Sequence, residues 1–180
     1  MSKAVIGALR ERFPDAVSGA YEGAGGDDCA FVKGERIVEV CRYLREEQKF
    51  DLAPYITAVD YLGQDPRFEV VYNLLSVARS ARIRLRVKVP EGEGCVLPSV
   101  TCVWRGADWF ERYCFDMYGI RFTDHPDMRR LLMYDEFVGH PLRKDYPIRG
   151  RQPLVPEREV PESFRGPGAA VLGDDEAERR

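Results

Sequence analysis

Apolar residues along this chain recur with two different periods, and the switches between them mark out its elements. Residues 2–13 place Val5, Ile6, Leu9 and Phe13 at helical spacing, and Pro14 closes the segment. "AVSGAYEGAGGDD" reads as a glycine-rich connection with a short strand around Val17–Tyr21, and "CAFV" (29–32) as a second strand. In "GERIVEVCRYLREEQKF" the residues Ile37, Val40, Cys41 and Leu44 form one stripe with charges opposite, which predicts a helix lying on a sheet. Pro54 bounds the next strand, "YITAVDY" (55–61), and "GQDPR" (63–67) supplies turn chemistry.

"FEVVYNLLSV" (68–77) is β-branched and aromatic, as a well-buried strand should be. "RIRLRVKVP" (82–90) alternates strictly: Ile83, Leu85, Val87 and Val89 share one face, and Arg82, Arg84, Arg86 and Lys88 the other. A solvated sheet face is the simpler reading of that basic row, with a binding patch as the alternative. "SVTCVW" (99–104) is a further strand candidate. "DWFERYCFDMYG" returns to helical spacing, with Asp108 as N-cap, Glu111 as its capping-box partner and Gly119 as the stop. Beyond residue 120 the periodicity fades and prolines recur, so the chain should run extended with local turns.

The order α-β-β-α-β-β-β-β-α predicts an α+β fold, a mostly antiparallel sheet with helices on one face, followed by an extended proline-rich C-terminal segment. The divisions expected are an N-terminal helix and connection (1–28), a core domain (29–119), a strap (120–152) and a mobile tail (153–180).

Composition narrows the function classes. The net charge of -3, from 27 basic and 30 acidic residues, argues against nucleic acid as a partner. No stretch approaches the roughly 20 apolar residues of a membrane span, and the N-terminus lacks a secretory pattern. The chain therefore reads as cytoplasmic, with any membrane association made through partners. Its five cysteines form no C-x-x-C pair, so they are expected to act as small buried apolar residues and not as zinc or iron–sulfur ligands.

The densest chemistry lies in "FTDHPDMRRLLMYDEFVGHPLRKDYP" (122–147), which holds both histidines. A histidine–carboxylate pair could serve as a general base, but residues 115–150 contain no serine or cysteine nucleophile. His125 and His140 with the intervening aspartates could form a metal site, although proline after each histidine suits a turn better. The tripeptide "HPD" (125–127) also occurs in J-domain co-chaperones, where a basic helix precedes it; here an extended "GIRFTD" does. A third reading explains more residues. Pro126, Pro141 and Pro147 stiffen the backbone, while Arg129, Arg130, Arg143 and Lys144 face Asp116, Asp127, Asp135 and Asp145. This predicts an extended strap whose charges pair across a protein contact.

"WFERYCFDMYGIRFTDHPDMRRLLMYDEFVGHPLRKDYP" (109–147) resembles the signature of the 30 kDa subunit family of proton-translocating NADH–quinone oxidoreductase, the C subunits of respiratory complex I. Glu111 and Arg112 match one element, and Asp116, Tyr118, Gly119 and Ile120 the next. His125–Arg130 match "HPD-L-R-R", and Gly139–Pro147 match "GHPLRKD-F/Y-P". Residues 50–90 resemble the family's other strong block; Tyr113 and "MYDEF" (133–137) depart from its usual wording. The resemblance implies a cofactor-free structural subunit of the peripheral arm, on the cytoplasmic side of the inner membrane. FMN and the iron–sulfur clusters would lie in partner subunits. The implied neighbours are the quinone-site subunit and the subunit holding the terminal iron–sulfur cluster. A subunit of a related membrane-bound hydrogenase or dehydrogenase is the alternative, and a stand-alone metal-dependent hydrolase a third class. Residues expected at the subunit interface are Glu111, Arg112, Asp116, His125, Asp127, Arg129, Arg130, His140, Arg143, Lys144 and Asp145.

Overall fold

A strand whose every second side chain is apolar can sit at the centre of a sheet only if something covers that face. Here Ala81–Val89 (β5) does so in a computed structural model that describes residues 2–23 and 27–155. Phe68–Ser76 (β4) pairs antiparallel with β5 on one side, and Asp28–Val32 (β2) pairs parallel on the other. Val17–Glu22 (β1) and Leu52–Asp60 (β3) complete a five-stranded sheet in the order β1-β2-β5-β4-β3.

Ile83, Leu85, Val87 and Val89 join Val70, Tyr72, Leu74, Ile56 and Ala58 in one core. Three helices supply its other half: Ser2–Arg12 (α1), Ile37–Glu46 (α2) and Ala107–Tyr118 (α3). The predicted stripe of α2 is the buried one, Ile37, Val40, Cys41 and Leu44. All three helices contribute to this core, so the α+β architecture with helices on one face is as expected. Val96–Pro98 (β6) and Arg121–Thr123 (β7) form a small parallel pair beside it.

Three local expectations are corrected. Pro54 lies inside β3 and does not bound it, because β3 is an edge strand where a missing N–H costs no ladder bond; the register shifts between Leu52 and Tyr55. Residues 99–104 are turns and not a strand. Their buried apolar residues, Val100, Val103 and Trp104, follow helical spacing, with Val103 and Trp104 N–H donating to the Val100 carbonyl and Trp104 Nε1 to that of Phe50. Asp108 does not cap α3: the N-cap is Gly106 with no side-chain bond, and Glu111 turns into the core instead. Gly119 does end α3, at φ +78°. Of the tail expected over 153–180, all but the first three residues lie outside the described residues.

Four of the five cysteines are buried, as expected, and Cys102 is exposed. Burial pushes the thiols of Cys41 and Cys114 well above their ordinary range. Leu85, fully buried at the centre of the sheet, should be the most sensitive core position. Leu85→Ala is expected to cost about 2–5 kcal/mol, read as a lower urea midpoint at unchanged slope; a shift below 1 kcal/mol would show that the core lies elsewhere.

Candidate functional site

An α-helix leaves its last carbonyls without intrahelical donors, and the strap supplies them for α3. His140 Nδ1 donates to the Asp116 carbonyl at 2.9 Å, Leu142 N–H to that of Met117 at 3.1 Å, and Arg143 Nε to that of Tyr118 at 2.6 Å. "GHPLR" is thus a cap in trans, and the Arg143 cation sits at the negative end of the helix dipole. Arg143 also lies over the Phe68 ring, 5.1 Å from its centroid. Glycine at 119 is required twice over: its φ is positive, and a Cβ there would meet His140 Nε2 at 2.5 Å and the Arg143 guanidinium at 2.6 Å.

The Asp116 carboxylate holds the middle of the strap. Its Oδ2 accepts from the N–H groups of Leu131, Leu132 and Met133 at 3.1, 2.8 and 2.9 Å, and its Oδ1 from Arg130 at 2.8 Å. Burial alone would raise this carboxyl's pKa. Three backbone donors and a guanidinium outweigh it, and the group titrates below the ordinary carboxylate range. Arg130 reaches on to the carbonyls of Phe137 and Gly139.

Farther along, Arg67 clasps the strap to the sheet. Its side chain is 4% exposed and pairs with Asp60 at 2.8 Å, Asp145 at 2.7 Å and Glu91 at 2.5 Å, while Lys144 N–H donates to Asp60 Oδ2 at 2.7 Å. The Arg67 bonds hold both Asp60 and Asp145 below the usual carboxylate range. Only Asp60 shares the burial of this cation and neutralises it; Asp145 and Glu91 are about half exposed, so water solvates the surplus negative charge.

At the strap's start the His125 imidazole is fully buried. Its Nδ1 accepts from Asp127 N–H at 3.0 Å, which makes Nε2 the protonated nitrogen; that atom lies 3.3 Å from the Asp108 carbonyl and 3.9 Å from Glu111 Oε2. Glu111 is itself buried and accepts from Ser99 Oγ at 2.6 Å and Val100 N–H at 2.8 Å. Desolvation dominates there, opposed by those two bonds and reinforced by Asp108, so its pKa rises to about 7. Arg112 donates to the carbonyls of Arg129 and Arg130, and Arg129 pairs with Asp127 at the surface.

Ten of the eleven expected interface residues thus find partners for their side chains inside the chain. Lys144 contributes only its backbone N–H, its side chain being exposed. The two histidines do not converge. His125 lies at the first turn of α3 and His140 at its last, Asp108 and Asp116 being separated by about 12 Å of helix. No group of three or more His, Cys, Asp or Glu that could hold a metal occurs among the described residues. Sequence reasoning missed Asp60, Arg67, Glu91 and Ser99; the signal for the first two was an aspartate closing one apolar strand and an arginine opening the next. Among exposed charged residues such as Arg129, Asp135, Glu136 and Lys144, the strap and α3 also expose large apolar side chains: Trp109 61%, Leu132 60%, Val138 64% and Leu142 42%.

The fold and this anchored strap define a small α+β protein in which most of the strap's ionic residues bind within the chain itself. Residues 30–152 match the family model of the respiratory-chain NADH dehydrogenase 30 kDa subunit, and the chain belongs to that family. It is 45% identical over 159 residues to the NADH-quinone oxidoreductase C subunit of Geobacter sulfurreducens, covering 88% of this chain and 93% of that one. To its Geobacter metallireducens counterpart it is 49% identical over 150 residues (83% and 91%), and to that of Roseiflexus sp. 48% over 146 residues (80% and 83%). A chain in the structure of the membrane-bound sulfane sulfur reductase, an archaeal respiratory membrane complex, has the same fold: TM-score 0.72 at 23% identity, over 82% of this chain and 86% of that one.

Two outcomes test this geometry. Gly119→Ala should cost more than the roughly 1–2 kcal/mol of a left-handed non-glycine residue, because it also displaces the cap, and should speed amide exchange over residues 140–146; unchanged exchange would refute the cap. Because the folded pKa of Glu111 lies above its ordinary 4.5, its contribution is fully present below pH 4.5 and is lost as pH rises through about 7. Glu111→Gln should flatten that part of the pH–stability curve and match or exceed the parent at pH 8, whereas parallel profiles would rule the assignment out.

Proposed function

We propose that this chain is a cofactor-free structural subunit of the peripheral arm of NADH–quinone oxidoreductase, the translocase that passes electrons from NADH to quinone and couples this to proton transport. In this reading FMN and the iron–sulfur clusters belong to partner subunits. The chain sits on the cytoplasmic side of the membrane against the quinone-site subunit and the subunit holding the terminal cluster. It carries no catalytic residue and meets the membrane only through the complex. Among the described residues no helix is long and apolar enough to cross a membrane.

The observation that carries this reading is the internal pairing of the strap. A ribbon held by the α3 carbonyls, Asp116 and Arg67 is ordered before it meets a partner, so little conformational entropy remains to be lost on docking. The eleven residues expected at the interface act in this reading mainly by shaping that ribbon, and exposed Leu132, Val138 and Leu142 make the contact beside it. The named relatives all being NADH-quinone oxidoreductase subunits favours this over a hydrogenase subunit.

Leu132→Glu combined with Val138→Glu should leave the isolated chain folded and its melting temperature within a few degrees of the parent, since both side chains are exposed. The same variant should fail to co-purify with the peripheral-arm subunits and should abolish NADH–quinone activity in membranes. Full assembly would count against the strap as the docking surface. Stoichiometric iron or flavin on the purified chain would end the scaffold reading.

A further inference from the structure

The three helices cover one face of the five-stranded sheet, and among the described residues no element packs on the other. Register places Arg82, Arg84, Arg86 and Lys88 of β5 on that open face, opposite Leu75, Asn73, Val71 and Glu69 of β4. Phe31 of β2 lies beside Arg86. The basic row is not simply solvated. Arg86 donates to Glu69 at 2.5 Å and to the hydroxyls of Tyr21 and Tyr61, and lies over the Phe31 ring, 4.9 Å from its centroid. Arg84 donates to Asn73 Oδ1 at 2.9 Å and approaches Asp27 at 3.9 Å.

Two further observations point outward. Asn73 Nδ2 is buried with no acceptor, and it lines a cavity of about 290 Å³ together with Tyr55, Arg82, Arg84 and, on its rim, Asp27. Half-exposed Tyr21 and Tyr55 flank the row. Arginine and tyrosine held in place on an otherwise open surface are the residue types and the preorganisation that concentrate binding energy at protein contacts. Four cations stand in this row against Glu69, which Arg86 already occupies, and Asp27 at its margin. The surplus is positive.

We propose that this open sheet face is a second docking surface, separate from the strap, which receives an acidic surface of a neighbouring protein in the assembly. A partner carboxylate or carbonyl accepts from Asn73 Nδ2 and the free Arg84 donors, and further carboxylates meet Arg82 and Lys88. The inference rests on the chain working inside a multi-subunit assembly, but not on the strap being its contact.

A zero-length carbodiimide cross-link, which joins an amine to a carboxylate in direct contact, tests it on the intact complex. The result expected is a link from the exposed Lys88 amine to an Asp or Glu of another subunit, located by mass spectrometry. Arg82→Glu with Lys88→Glu should lower retention of the chain in the complex by roughly tenfold, while Arg82→Gln with Lys88→Gln gives a smaller loss and both variants melt as the parent does. A link from Lys88 to this chain's own residues 156–180, a link to a second copy, or no link together with undiminished retention would each overturn the proposal. Undiminished assembly of the Leu132→Glu, Val138→Glu variant with the Lys88 link formed would overturn the strap as contact and support this surface, so the two failures are distinguishable.

Discussion

The path of the strap depends first on the end of one helix. The last carbonyls of α3 need donors, and a helix end in contact with protein cannot leave them to water. Those donors come from His140, Leu142 and Arg143, residues some two dozen positions downstream, so the strap and the helix end support each other. The left-handed turn at Gly119 opens the space in which the cap sits. The Arg67 cluster then fixes the far end of the same segment to the sheet. A chain without regular secondary structure over residues 124–155 acquires a defined path from these few bonds.

Two buried carboxylates on α3 show how local donors decide charge. Asp116 and Glu111 are both 0% exposed. Asp116 meets three backbone N–H groups and a guanidinium, and stays ionised to low pH. Glu111 meets one hydroxyl and one N–H, with no cation beside it, and its pKa climbs to about 7. Glu111 also lies deeper beneath the surface than Asp116, so greater desolvation and fewer donors act in the same direction. Glu111 consequently holds the 99–100 turn in place, while Asp116 holds the strap.

The sheet has its own asymmetry. One face is buried under three helices; the other is tied together by arginine, tyrosine and glutamate, with no covering layer among the described residues. An antiparallel sheet tolerates one wet face, so the fold does not require those bonds. Their presence is a property of the surface, and it sets this chain apart from a domain whose outer face is merely solvated.

The periodicities of α2, β4 and β5 were readable directly, because a helix stripe or an alternating strand is a local pattern that the core then uses unchanged. The stop at Gly119 and the importance of the "HPD" and "GHPLRKDYP" segments were equally visible. The strand expected at 99–104 failed because Val100, Val103 and Trp104 read as apolar either way, and the bonds that favour the turn, from Val100 N–H to Glu111 and from Trp104 Nε1 to Phe50, are tertiary. The Asp108 cap failed for the same reason: Glu111 could reach either the helix start or the core. Composition and order predict pairing for the strap's charges, but not the partners. Asp60 and Arg67 stand some eighty residues before Lys144 and Asp145, and no local pattern links them. Pairing at that separation is settled by where the sheet places its strand ends, which only the folded chain decides.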